Sequence, residues 1–363
     1  MRILYVTTIG STMNFFRSFI KLLLDAGHTV DIATNETVKC VPDDYHDWGC
    51  SIYPIATSRS PIDKGNLKAI RQIKELVEKN HYDIVHCHTP VAAMCTRLAC
   101  RKARRKGTRV FYTAHGFHFY KGAPLKNWLL YYPIEKICSH FTDVLITINQ
   151  EDYALVRKKM KAKRVEYVPG VGIDLTKFGQ AAVEKSAKRK ELGIPEEATL
   201  LLSVGELNEN KNHETVIRAI KDLNVYYIIA GKGELYEQLQ KIIDTLGMTE
   251  RVKLLGYRKD VAELYLVTDI YILPSIREGL NVSIMEAMAS GLPVVCGRIR
   301  GNTDLIDENG GVLFDPSDVD NCKNAISQLL EEDLSLMSKY NTEKVKDFQV
   351  SKVNTLINQL YIM

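Results

Sequence analysis

The sequence predicts an α/β protein made of two doubly wound parallel-sheet domains that face one another across a cleft. Three observations carry this expectation. The chain has 363 residues, more than a single hydrophobic core usually serves. Short apolar runs alternate with amphipathic stretches, the pattern of βαβ units with right-handed crossovers. The run Val168-Pro169-Gly170-Val171-Gly172-Ile173-Asp174 breaks that alternation with a proline and two glycines, after which it starts again.

In the first half, strands are expected at Ile3–Thr7, Thr29–Thr34, Ile84–His88, Arg109–Thr113, Val144–Ile148 and Val165–Val168, with helices such as Phe15–Ala26, closed by Gly27, and Leu67–Lys79 between them. In the second half, strands are expected at Leu200–Val204, Tyr226–Ala230, Val252–Leu255, Ile270–Leu273 and Val294–Cys296. Domains of 1–168 and 169–345 follow, and the closing stretch 346–363, helical over Val350–Tyr361, is expected to pack back on the first. In open sheets of this kind, ligands bind at the carboxyl ends of the strands.

Composition narrows the class. With 45% apolar and 25% charged residues, the chain is neither disordered nor fibrous. The net charge of +4 is small, but five cations fall within Arg101–Lys106 and a weaker cluster spans Lys185–Lys190. Neither cluster is interleaved with aromatics, so nucleic acid is not expected as a partner. A solvated helix end and attraction to an anionic membrane face both stand for the first cluster. The segment Lys126–Ile134 has the same two readings, a core helix or a membrane contact. The eight cysteines show no CxxC and no zinc spacing, which suits a reducing cytoplasm. The start of the chain lacks the apolar core of a signal peptide, and no apolar run reaches spanning length. A cytoplasmic protein, at most resting on a membrane, is expected.

The most informative segment runs from Leu273 to Val295: strand, loop, helix, glycine stop, strand. Glu278 falls in the loop, and Glu286 lies within the helix that starts near Asn281. The first N–H groups of such a helix form a site for a diphosphate, and carboxylates beside it suit the vicinal hydroxyls of a ribose or hexose. Glu286 is flanked by Ile284, Met285, Ala287 and Met288, an uncomfortable setting for a solvent-facing residue.

This segment, with its Ala-Met-Ala-Ser-Gly-Leu-Pro-Val-Val exit, closely resembles the Glu-x7-Glu signature of glycosyltransferase family 4, whose members have the GT-B fold. The resemblance implies a retaining transferase that uses a nucleotide diphosphate-sugar, with UDP expected, and needs no metal or other cofactor. Glu278 is implied to bind the donor sugar and Glu286 the nucleotide ribose, with the backbone of Asn281, Val282 and Ser283 holding the diphosphate. Gly279-Leu280-Asn281 stands where many members have Gly-Phe-Gly, a change that bears on which sugar fits. The stretch Leu202–His213 matches a second family segment and places Gly205 and Lys211 beside the diphosphate. Many members carry arginine where this chain has Glu206, so either another cation substitutes or the glutamate turns away. Gly231 in Ala230-Gly231-Lys232-Gly233 is a strand-end turn of the kind that lets backbone approach the donor, with plain turn chemistry as the alternative, and Tyr257-Arg258 resembles the loop that contacts the nucleobase.

In the first half, Ala114-His115-Gly116-Phe117-His118 follows a strand, and the resemblance implies that His115 orients the transferred sugar. His118, His88 and the loop Gly10-Ser11-Thr12 are expected on the acceptor side. His86 and His88 alternate on a strand and are expected on opposite faces, His86 structural, so they are not read as a metal pair. The loop after the first strand lacks GxGxxG, which counts against dinucleotide oxidoreduction. Asp318-Val319-Asp320 is the one Asp-x-Asp and reads as a helix cap. The implied activity is transfer of a hexosyl or N-acetylhexosaminyl group to a glycan or polyprenyl-diphosphate-linked acceptor in cell-surface polysaccharide biosynthesis. Two rivals stand beside it: a nucleotide-sugar epimerase of the same fold and a non-catalytic nucleotide-sugar-binding subunit.

Overall fold

The computed structural model describes residues 1–178 and 183–363. The chain divides into two compact units, Met1–Val171 with Val350–Met363, and Gly172–Gln349. The crossings lie a few residues beyond the expected 168 and 345. Each falls where regular structure pauses: Gly170 and Gly172 have positive φ, and Gln349 sits extended between two helical segments.

The first unit holds seven strands: β1 (Arg2–Ile9), β2 (Thr29–Asn35), β3 (Ser51–Pro54), β4 (Ile84–His88), β5 (Arg109–Ala114), β6 (Val144–Thr147) and β7 (Arg164–Tyr167). They pair in the order β3-β2-β1-β4-β5-β6-β7, and every pairing is parallel. β4 and β6 are buried along their whole length, as expected of a sheet covered on both faces. One face packs Ala69, Ile73 and Val77 of the Gly65–Asn80 helix against Val85, Val110 and Leu145. The other packs Phe19, Ile20 and Leu23 of the Arg17–Asp25 helix against Ile3, Tyr5 and Ile32. The order reverses between β1 and β4, so the loops after these two strands open a crevice at the sheet's carboxyl edge.

The closing helix, Val350–Ile362, belongs to this unit. Its Tyr361 hydroxyl is buried 2.5 Å from His86 Nδ1 and 3.1 Å from the Tyr5 hydroxyl, and Asn354 donates to Ser18.

The second unit holds β8 (Thr199–Val204), β9 (Val225–Ala230), β10 (Val252–Gly256), β11 (Ile270–Leu273), β12 (Val294–Gly297) and β13 (Gly311–Phe314), in the order β10-β9-β8-β11-β12-β13, again all parallel. Its reversal point lies between β8 and β11. The two segments singled out in the sequence, 205–212 and 274–281, are the loops that leave these two strands.

Two strands were not expected. β3 and β13 sit at sheet edges with only partial burial, so neither needs an apolar run. The expected placement of His86 and His88 on opposite faces is corrected. Their rings lie 4.2 Å apart on one face, because side chains two residues apart along a strand share a face.

Candidate functional site

In the second unit, the site residues are set by the helix Val282–Ala289. Asn281 is its N-cap, extended in backbone, with Oδ1 accepting from the Ile284 N–H at 3.1 Å and from the Ser283 hydroxyl at 2.6 Å. Tyr271 on β11 donates in turn to Ser283 Oγ at 2.6 Å. The cap leaves the N–H groups of Val282 and Ser283 without a partner among the described residues. Two adjacent N–H groups at the positive end of a helix form an anion site. Leu280 is buried beneath it.

Glu286 lies on the same helix. Its Oε2 accepts from the Tyr265 hydroxyl at 2.9 Å. Burial pushes its carboxyl above the usual carboxylate range, and the Tyr265 hydrogen bond and the Lys177 charge offset part of that. It is therefore not a solvated helix residue. Its other oxygen has no partner among the described residues.

Lys211 and Glu278 form an ion pair, Nζ to Oε1 at 2.7 Å, with both side chains mostly covered. The lysine stem lies on Gly205, 3.1 Å from where a Cβ would be. Asparagines tie the two loops together: Asn210 Nδ2 donates to the Arg277 carbonyl, and Asn212 Nδ2 to the carbonyls of Pro274 and Pro316. The expected cation and the expected sugar-binding carboxylate thus meet each other directly. Glu206 is exposed and accepts from Asn208 Nδ2 at 3.0 Å.

The next loops follow in a chain of close approaches. A Cβ at Gly231 would lie 1.7 Å from the Gly205 carbonyl oxygen, so glycine is required there for packing. The Gly231 N–H donates to the Gly256 carbonyl at 2.8 Å. Tyr257 is 66% exposed and open to a stacking partner. Arg258 is committed elsewhere, donating to Asp260 and to Glu191, and these carboxylates push its pKa up. A nucleobase contact through its guanidinium would have to break that network.

Sequence reasoning missed Tyr265, Tyr271 and Arg300. The tyrosines occur in apolar runs and read as core. Arg300 is buried in the loop after β12 and donates from Nε to the Glu278 carbonyl at 3.2 Å. Gly301, with φ of 81°, lets that loop close on Gly279. Asp318 caps the helix Val319–Glu331 by accepting from the Asn321 N–H.

In the first unit, Gly10 is buried against the backbone of 39–41, where a Cβ would come within 2.4 Å of Val41 N. Glycine is required there for packing. Ser11 is half-buried, and Thr12 lines a 300 Å³ pocket with Thr8, Arg59, Thr89, Pro90, His118 and Tyr131. His118 stacks on Tyr131 at 4.4 Å. A larger cavity of 890 Å³ opens beside it at the ends of β1, β2 and β3. His115 is bonded through Nε2 to His88 Nδ1 at 3.1 Å. Burial lowers the pKa of His115 to about 4 and of His86 to about 3, and lowers that of His88 as well. All three rings are neutral at pH 7, and His88 Nε2 has no partner among the described residues.

The family model described as "Glycosyl transferases group 1" matches residues 184–346, and that described as "Glycosyl transferase 4-like" matches residues 2–149. The Bacillus subtilis protein named "Putative glycosyltransferase EpsD" is 39% identical over 322 residues, 86% of this chain and 83% of that protein. The chain is a group 1, family 4-like glycosyltransferase. Another relative of the transferase is the UDP-Gal:alpha-D-GlcNAc-diphosphoundecaprenol alpha-1,3-galactosyltransferase of Escherichia coli, 30% identical over 82% of this chain and 79% of that one. Among solved structures, Anabaena HepE in complex with UDP covers 99% of both chains at a TM-score of 0.82 and 20% identity. HepE has also been solved with UDP-glucose, where the TM-score is 0.80. At that identity the likeness shows the fold, two Rossmann-like units of the GT-B type.

Proposed function

We propose that this transferase moves a hexosyl or N-acetylhexosaminyl group, with retention, from a UDP-sugar to a polyprenyl-diphosphate-linked glycan during cell-surface polysaccharide assembly, in the cytoplasm at the membrane that holds the acceptor. The observation that carries the donor half is the unpartnered N–H pair of Val282 and Ser283, set between Glu286 and the Lys211–Glu278 pair. The acceptor class draws its support from the Escherichia coli relative, whose name gives a diphosphoundecaprenol acceptor.

In this reading, the donor diphosphate sits on the two N–H groups and Glu286 accepts the ribose hydroxyls. Lys211 exchanges Glu278 for the diphosphate, which frees Glu278 to accept sugar hydroxyls. As the anomeric C–O bond breaks, its electron pair leaves with UDP, and Lys211 and the helix end stabilise the developing charge. No metal is needed for that step. The acceptor oxygen attacks from the same face and passes its proton to the departing phosphate oxygen. His115 keeps the role the resemblance implies, orienting the transferred sugar. Arg300 is the cation best placed to supply the positive charge that Glu206 does not.

The test is a panel of UDP-sugars incubated with synthetic polyprenyl-diphosphate acceptors, with products read by mass spectrometry and anomeric NMR. Transfer with retained configuration supports the proposal. An isomerised UDP-sugar formed without acceptor identifies an epimerase, and UDP binding with no turnover on any acceptor identifies a binding subunit.

A further inference from the structure

The solvent face of the helix Leu125–Ser139 in the first unit is unlike that of an ordinary soluble helix. Leu125, Leu129, Pro133 and Ile137 recur every four residues with Leu130 beside them, and Leu125, Leu129 and Ile137 are 73%, 71% and 59% exposed. At 3.6 residues per turn these residues, with Lys126, Lys136 and the following His140, fall in one arc of about 140°. The helix's single acidic residue, Glu135, lies outside that arc, buried and paired with Arg97 at 2.8 Å. The exposed face is therefore apolar and basic with no carboxylate on it.

The same character continues past the end of the helix. Arg101, Lys102, Arg104, Arg105, His140 and Lys163 surround a 590 Å³ depression floored by Phe141. Arg104 and Lys163 are answered by Asp143, and Arg101 lies over the Phe141 ring. Lys102, Arg105 and Lys106 have no acidic partner among the described residues.

We propose that this surface is a docking face for an anionic lipid bilayer. Apolar side chains on a helix lying in the interface enter the headgroup boundary, while cations beside them meet lipid phosphates. A protein groove would need to supply carboxylates to satisfy the cations as well as an apolar bed. A second copy would supply an apolar bed but no carboxylates, since a two-fold contact sets this basic face against itself. The inner side of the same helix points to a reason for the docking. Tyr131, stacked on His118, walls the 300 Å³ pocket that Arg59 also lines. One helix thus has a lipid-facing side and a side on the acceptor pocket, so a carrier lipid could present its headgroup there without leaving the bilayer. This last point rests on the lipid-linked acceptor proposed above; the docking face does not.

The test is sedimentation of the full chain with equimolar phosphatidylglycerol–phosphatidylcholine vesicles and with pure phosphatidylcholine vesicles. Each basic residue near an anionic surface adds about fivefold in affinity, so partition onto the anionic vesicles is expected to exceed that onto neutral ones by at least about tenfold and to weaken with added salt. The triple variant Leu125→Ser/Leu129→Ser/Ile137→Ser is expected to lose about tenfold in partition and Lys102→Glu/Arg105→Glu/Lys106→Glu at least about a hundredfold, with circular dichroism and UDP binding unchanged. Equal partition of the unaltered chain onto both vesicle types would overturn the proposal, as would full partition in both variants. So would a dimer, seen by light scattering, that the serine variant abolishes. Failure of the transferase reading would appear in the UDP-binding arm and would leave the partition result standing.

Discussion

Lys211 and Glu278 hold each other in an ion pair, and this shapes what either substitution does. On the proposed reading, Lys211→Ala leaves the diphosphate its helix N–H groups but removes the cation that meets the leaving charge. Turnover is expected to fall by about 10²- to 10³-fold, the usual cost of one such group, while KM moves far less. Steady-state kinetics with a saturating acceptor separates the two. Glu286 provides a pH signature. Its buried carboxyl takes up a proton at a higher pH than an ordinary glutamate, and only the ionised form accepts two hydroxyl hydrogen bonds. UDP affinity is therefore expected to decline on acidification starting above the ordinary carboxylate range. The decline is expected to vanish in Glu286→Gln, which binds about tenfold to a hundredfold more weakly throughout, the value of a charge-assisted bond. Calorimetric titration across pH reads both effects.

At the scale of elements, the helix Val282–Ala289 and its cap form the unit that matters. Asn281→Ala removes the side chain that accepts from Ile284 and from Ser283. It is expected to lower stability by about 1 kcal/mol, read from urea unfolding, and to weaken UDP binding because the first turn is no longer held. Gly231→Ala forces a methyl group onto the Gly205 carbonyl, so the 205–212 loop that carries Lys211 must shift. Much of this was legible in the sequence. Strands with long apolar runs, the helix beginning near Asn281, the Asp318 cap and the glycine stop at Gly291 all have local chemical signals. β3, with the sequence Ser-Ile-Tyr-Pro, does not, because an edge strand is held by one neighbour and needs no continuous apolar pattern, and β13, Gly-Val-Leu-Phe, is an apolar run too short to stand out. The Lys211–Glu278 pair joins residues 67 apart in sequence, and Tyr265 reaches Glu286 across another long interval. Contacts of that kind come from the sheet order, which no short window contains. The misplacement of His86 and His88 was an error of strand period, and the sequence held the means to avoid it.

At the scale of the whole molecule, acid sensitivity from buried histidines gathers in the first unit, with His213 alone adding to it in the second. The first buries His86, His88 and His115 as neutral rings. Each protonates near 6.5 when unfolded, but His86 and His115 only near 3 and 4 when folded. Below about pH 6.5 the unfolded chain binds the extra protons, so stability falls as pH drops from 6.5 toward 4, by up to about 1.4 kcal/mol per pH unit for each histidine. Both tryptophans, Trp48 and Trp128, lie in this unit, so their fluorescence during urea unfolding at pH 7 and pH 5.5 reports it alone, and a lower midpoint at the acidic pH is expected. The same probe follows Glu135→Ala, which strands the buried Arg97 guanidinium and is expected to cost about 3–5 kcal/mol.

Seven of the eight cysteines are buried and Cys40 alone is exposed. It follows Glu36, Thr37 and Val38, residues that line the 890 Å³ cavity of the first unit. A maleimide dye offered to the native protein should therefore attach at one position without any engineering. Its emission would then report directly when something settles into that cavity.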